Sequence, residues 1–284
     1  MDTTVERLKV GTQVIIGSYG VNNDEPHPVV WLKGSPNCDF ITECAVDYLC
    51  FDAPERTGDG RRNLGNPDYR LSNIHTYLNS DRDDWFRKTH EADAPPNNVF
   101  SNRAQSYRNH YGFLYFFEDY ELDSLQMQQY VVDGETLSSL IRLPTITDIL
   151  DDQLKLKLFS KKGIRPKATE DCANKKGRFG NFSWESYMNF WLAGKQDGFR
   201  DYALALSRSG YCERKYPRDC AGLRPMCRLK PETVVEVDEN GVAHIKPYAL
   251  KNETCTDAEL FELLGVAQNC NELPFSGASR QRLK

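Results

Sequence analysis

The chain has 284 residues, of which 39% are hydrophobic and 27% charged, a balance that belongs to a globular protein rather than a disordered one. Nothing approaches a run of roughly eighteen apolar residues, so a membrane-spanning helix is excluded. The net charge of -5 hides an asymmetry: Lys161 to Lys230 carries 16 Lys and Arg against 7 Asp and Glu, or +9, leaving -14 for the remainder. A basic segment on an acidic body points to an acidic or polyanionic partner for one face, set against a solvated surface whose charges pair with the acidic half.

The N-terminus, MDTTVERLKVG, has neither a basic start nor an apolar core, so no secretory signal is read there. The expected location is the cytoplasm, or a virion released by lysis. Nine cysteines, Cys38, Cys44, Cys50, Cys172, Cys212, Cys220, Cys227, Cys255 and Cys270, form no C-x-x-C pair, and the odd count argues for reduced thiols. A zinc site from Cys212, Cys220 and Cys227 would need unusually wide spacing, and no metal or other cofactor is expected.

In chain order, Val10 to Ile16 alternates and is rich in β-branched residues, predicting a strand, with Pro28 to Leu32 as its hairpin partner. A third strand is expected near Asp39 to Leu49. The Asp52 to Pro67 loop holds a G-x-G pair at Gly58 and Gly60, without the strand and helix a phosphate cradle requires. Leu71, Ile74 and Leu78 share a helical face that Ser72 can cap. Asp81 is placed to cap a short helix carrying Trp85 and Phe86. Tyr111 to Phe117, YGFLYFF, predicts a buried strand, and Leu122 to Tyr130 a polar helix. Thr145 and Asp148 form a capping box opening a helix through about Leu158. In the tail, Thr233 to Val237 and Val242 to Ile245 predict a hairpin across Asn240-Gly241, and Asp257 to Leu264 a short helix. Short strands, few helices and long loops indicate an α+β chain, with residues 1–237 as the main domain and 238–284 as a hairpin and short-helix extension.

The most informative stretch is Arg178 to Lys230, which mixes aromatic residues with Arg, Asn, Ser and Gly, as binding surfaces do. Within its 178–220 part, Trp184, Tyr187, Asn189, Arg200, Tyr211, Arg214, Lys215, Tyr216 and Arg218 are the candidate ligand-binding residues. The guanidinium and ammonium groups suit carboxylate, phosphate or sulfate groups. Trp184, Tyr187 and Trp191 would form one stripe at helical spacing, which favours core packing for Trp191. Arg142 and Arg224 read as structural, in buried ion pairs. His27, His75, His90, His110 and His244 are dispersed, with no G-x-S-x-G or H-E-x-x-H, so no catalytic residue is assigned.

Arg142-Leu143-Pro144-Thr145 and Gly222-Leu223-Arg224-Pro225, taken with VGTQVIIGSYG, PVVWL and YRLSNIHTYLN, occur in an order that resembles a domain of unknown function found in gut bacteria and their phages. The R-L-P-T and G-L-R elements also resemble the formylglycine-generating, sulfatase-modifying superfamily, a variant of the C-type lectin fold. The resemblance implies a C-type-lectin-like mixed domain whose ligand face is the 178–220 segment. It further implies a ligand- or receptor-binding module of phage, prophage or bacterial origin, or a retroelement-diversified variable protein. The expected partner is a cell-surface glycan, acidic polymer or protein receptor; a homo-oligomer or virion assembly is also compatible, and nucleic acid is not the expected ligand. Two alternatives stay open: a thiol- or metal-dependent enzyme like the formylglycine-generating group, using Cys212 and Cys220, and a structural virion component. The copper-binding cysteines of that group are four residues apart, whereas seven residues separate Cys212 from Cys220 here. The E-P-N and W-N-D motifs of calcium-dependent lectins do not occur.

Overall fold

Fifteen short strands carry the fold in a computed structural model of the chain, which describes residues 1–20, 25–52, 64–85, 110–150, 167–169, 172, 188–195, 201–207 and 210–247. In order they are β1 (Asp2–Thr4), β2 (Gln13–Tyr19), β3 (His27–Lys33), β4 (Asp39–Thr42), β5 (Asp47–Cys50), β6 (Gln128–Val132), β7 (Glu135–Ser139), β8 (Ile141–Arg142), β9 (Phe190–Lys195), β10 (Ala203–Leu206), β11 (Cys212–Lys215), β12 (Cys220–Leu223), β13 (Met226–Arg228), β14 (Val234–Val237) and β15 (Ala243–Ile245). The helices are α1 (Asn73–Leu78), α2 (Asp119–Ser124) and α3 (Ile146–Leu150). Residues Met1–Pro247 form one compact unit; the rest of the chain, with the helix expected at Asp257 to Leu264, lies outside the described residues.

The architecture is mixed α+β, mostly strands, in two mixed sheets with a few short helices. One sheet runs β1-β14-β15-β2-β3-β4-β13-β8 and the other β11-β10-β9-β12-β5, with β6 and β7 as a separate hairpin. Most neighbours are antiparallel; β15 beside β2 and β12 beside β9 are parallel. The expected β2–β3 hairpin forms, but β2 runs on to Tyr19 through a bulge between Ile15 and Ser18. The tail hairpin also forms, with Val237 opposite Ala243.

The single strand expected over Asp39 to Leu49 is instead two, β4 and β5, in different sheets. The chain crosses between sheets at residues 43–46 and again at Arg224-Pro225, and the two crossings lie side by side. Thr42 N–H donates to Pro225 O at 3.1 Å, Val46 N–H to Leu223 O at 2.9 Å, and Arg224 Nε–H to Thr42 O at 2.9 Å. Arg224 is fully buried with its guanidinium 5.6 Å from the Phe190 ring centroid, and burial pushes it down to about 10. The G-L-R-P element is therefore a corner in which Arg224 satisfies a carbonyl that the turning strand leaves over.

Arg142 is another buried cation. Its guanidinium meets both Asp148 oxygens at 2.5 and 2.9 Å, the bidentate pairing arginine favours. Asp148 also accepts from Thr145 N–H at 2.7 Å and donates its own amide to Thr145 Oγ1, the expected capping box at α3. Ser72 caps α1 as expected, accepting from His75 N–H at 3.3 Å.

Two predicted elements differ. Tyr111 to Phe117 is buried at Phe113, Leu114 and Phe117 but is a chain of turns, with Tyr115 N–H on Gly112 O and Phe117 N–H on Leu114 O, both local bonds that a strand would not make. The segment from Leu122 to Tyr130 is not one helix. α2 ends at Ser124, and Gln128 onward is strand, because Asp133-Gly134 turns the chain back into β7 with both residues at positive φ.

Candidate functional site

The β10–β11 hairpin and the turn after it assemble the described part of the predicted ligand face. Ala203 stands opposite Lys215 and Leu206 opposite Cys212. Continued one step, this register brings Tyr202 opposite Tyr216. Their rings stack with centroids 4.6 Å apart and planes 25° apart, and the Tyr202 hydroxyl donates to that of Tyr216 at 2.9 Å. Arg214 lies over the Tyr202 ring at 5.8 Å and Arg218 over the Tyr216 ring at 5.5 Å. Two guanidinium groups thus flank a tyrosine pair. Within about 6 Å of a ring centroid a guanidinium gains cation–π attraction.

The turn that carries Tyr216 and Arg218 is anchored. Asp219 N–H donates to Tyr216 O at 2.8 Å, Phe51 N–H to Pro217 O at 2.8 Å and Arg218 N–H to Leu64 O at 3.0 Å. At the hairpin's other end Ser207 caps the turn, accepting from Tyr211 N–H through its hydroxyl at 3.0 Å and donating its own N–H to Tyr211 O at 2.8 Å. Tyr211 is 75% exposed.

Lys215 belongs to the other face. Along a strand neighbouring side chains alternate, so Glu213 and Lys215 point away from Cys212 and Arg214. Glu213 lies 4.0 Å from Lys215 Nζ and accepts from Asn189 Nδ2 at 2.7 Å. Of the predicted residues, the structure brings Arg214, Tyr216 and Arg218 together and sets Asn189 and Lys215 around Glu213. Trp184, Tyr187 and Arg200 lie outside the described residues. Trp191 is fully buried and donates Nε1–H to Leu49 O at 2.8 Å, a core residue. Tyr202 and Glu213 were not predicted. The flanking runs, ALAL and CERK, do not alternate apolar with polar residues, so Tyr202 is placed opposite Tyr216 only by the register of the folded strands.

Cys212 and Cys220, the thiols of the enzyme alternative, do not meet. β10 and β9 lie between their strands, so they stand roughly 14 Å apart at ~4.8 Å per strand. No group of three or more His, Cys, Asp or Glu suited to a metal exists among the described residues, so Cys212, Cys220 and Cys227 form no zinc site.

Two further features carry polar groups. A cleft of about 560 Å³ opens between the β6–β7 turn, the start of α3 and β9 to β11, with Asp133 accepting from Lys195 N–H at 3.1 Å. Its walls include Val131, Ile146 and the exposed Cys212. In the core, Asp47 accepts from the Tyr19 hydroxyl and from Tyr48 N–H, with His110 Nδ1 at 3.9 Å. Burial, and then the Asp47 charge, pushes the Tyr19 and Tyr77 hydroxyls well above their ordinary value. The side chains of Tyr19, Asp47, Tyr77 and His110 are buried, and the Tyr19–Asp47 bond joins β2 of one sheet to β5 of the other.

Comparison with protein-family models, with curated proteins and with solved structures finds no significant match to this chain. No described helix is long and apolar enough to cross a membrane.

Proposed function

We propose that this chain is a ligand- or receptor-binding module with a C-type-lectin-like domain, and that it grips an acidic ligand, a cell-envelope glycan or other polyanion, through the β10–β11 edge. The observation carrying the reading is the Arg214–Tyr202–Tyr216–Arg218 stack. Tyrosine supplies rigid contact area at small entropic cost, and arginine supplies forked donors for carboxylate, sulfate or phosphate groups. The positive balance of the surrounding segment adds attraction over longer range. The mixed two-sheet architecture with few short helices is compatible with the lectin-like reading.

The test is binding of the chain to uronic-acid and sulfated polysaccharides, with neutral glycans as controls, at low and high salt. Arg214→Glu with Arg218→Glu should weaken binding by about tenfold or more for each charge-assisted hydrogen bond removed. Lys215→Glu, on the opposite face, should have a smaller effect. Equal, salt-insensitive binding by all variants would overturn the reading.

A further inference from the structure

We infer that Cys50 and Cys220 form a cross-strand disulfide when the protein meets a small-molecule disulfide oxidant, making this pair a covalent modification site that staples β5 to β12. The two residues are register partners in the antiparallel β5–β12 ladder. Residues directly opposite in such a ladder have Cα atoms about 4.5–5.5 Å apart with side chains on the same face, inside the 4.4–6.8 Å range that disulfides span. Both side chains belong to the same core cluster, along with Leu49's neighbour across the ladder, Ala221. No disulfide joins the seven described cysteines, so the pair stands as two thiols.

The position gives the bond a mechanical consequence. β5 is the outermost strand of the described five-stranded sheet, and its continuation holds the second anchor of the ligand-face turn, since Phe51 and Asp52 N–H both donate to Pro217 O. A bond between residues 50 and 220 would fix that strand to β12 just after Tyr216 to Asp219 and close a long loop in the unfolded chain.

The chemistry balances through thiol–disulfide exchange. The thiolate of one cysteine attacks the oxidant's disulfide, forming a mixed disulfide and expelling one small thiolate. The second cysteine's thiolate attacks the protein sulfur of that mixed disulfide and expels the other. The two protein thiols lose two protons and two electrons, and the oxidant becomes two small thiols. Burial, with the neighbouring Cys220, pushes the Cys50 thiol well up, so the exchange is slow in the closed protein and waits on local opening of the edge strand.

The experiment treats the reduced full-length chain with glutathione disulfide, in buffer and in urea below the unfolding transition. Remaining thiols are then alkylated, and the chain is digested without reductant for mass spectrometry. The expected result is a Cys50–Cys220 linked peptide pair as the dominant cross-link, forming faster in urea, with the unfolding midpoint of the oxidised protein raised by several degrees. Cys220→Ser should abolish that pair; should this variant not fold, the cross-link map of the unaltered chain decides alone. Alkyl groups or glutathione on both Cys50 and Cys220, or dominance of another cysteine pair, would overturn the inference.

Discussion

Tyr202 donates its hydroxyl to that of Tyr216 across 2.9 Å while the two rings stack, so one contact couples the geometry of the β10–β11 edge to a titratable proton. The hydrogen bond to Tyr216 is the main reason the Tyr202 hydroxyl is held above its ordinary value; Arg214 works in the opposite direction. Tyr216→Phe should therefore lower the Tyr202 ionisation toward that of a free tyrosine, and Arg214→Gln should raise it further. Because the folded value is raised, the linked stability is present below the unfolded tyrosine value near 10 and is lost as pH climbs through the folded one. Tyrosinate absorbance against pH reads both shifts. No change in Tyr216→Phe would mean the hydroxyls do not share a proton in solution.

The Arg142–Asp148 pair should dominate acid sensitivity at the α3 end. Burial works to raise the Asp148 carboxyl, but the Arg142 hydrogen bonds and charge, with the Thr145 amide, outweigh it and hold the group below the usual carboxylate range. Its folded value is depressed, so its contribution is present above about pH 4 and disappears as pH falls through the folded value. Asp148→Ala strands a buried guanidinium and should cost about 3–5 kcal/mol in urea unfolding at neutral pH. It should also flatten the acid limb of the stability curve. A cost under about 1 kcal/mol, the range of a solvated pair, would show that water reaches Arg142.

Both residues were marked by local chemistry that the sequence displays. Thr145 and Asp148 announce a capping box, Ser72 precedes an apolar helical face, and Asn240-Gly241 sits between alternating runs. Each signal lies within a few residues of the structure it specifies; both caps and the hairpin are found, while the α3 stretch expected beyond Leu150 lies outside the described residues. Asp133-Gly134 carries the same hairpin signal just past the helix expected over Leu122 to Tyr130, and the hairpin it makes takes Gln128 to Tyr130 into β6. Long-range relations were less legible. The paired crossings at residues 43–46 and Arg224-Pro225 join segments about 180 residues apart in sequence, and nothing local to either marks them. At the candidate site, Arg214, Tyr216 and Arg218 stood out by composition, whereas Tyr202 acquires its place only through register.

Lys33 illustrates a cost that composition conceals. Its ammonium is buried and donates to the carbonyls of Val5, Glu6 and Leu8 at 2.8, 3.0 and 3.0 Å, closing the short 3₁₀ turn that follows β1. Lys33→Met keeps the aliphatic length but leaves the buried carbonyls without that donor. The expected destabilisation is about 1–3 kcal/mol, measured by urea unfolding. Weaker protection of the β1 amides in hydrogen exchange should accompany it. Unchanged exchange there would mean that the backbone bonds of the turn, Val5 N–H on Thr233 O, Glu6 N–H on Pro231 O and Leu8 N–H on Val5 O, hold it without the lysine.

Gly17 offers the sharpest packing test, because two independent constraints meet at one atom. Its φ of 67° places the bulge of β2 in the left-handed region, where a side chain is strained. A Cβ added there would sit 2.3 Å from Phe117 Cε2, and Phe117 is fully buried, so the ring has little room to retreat. The Gly17 amide also donates to Glu121 Oε1 at 2.8 Å, which ties the bulge to α2, whose Glu118 N–H is held by Glu121 Oε2 at 2.9 Å. Gly17→Ala should destabilise by about 1–3 kcal/mol from overpacking, with backbone strain added. Relieving the clash alone, with Phe117→Leu in the same chain, should recover only part of the stability, since the positive φ remains. Full recovery in the double variant would place the entire effect in packing, and an unchanged stability in Gly17→Ala would show that β2 can shed its bulge while keeping the hairpin.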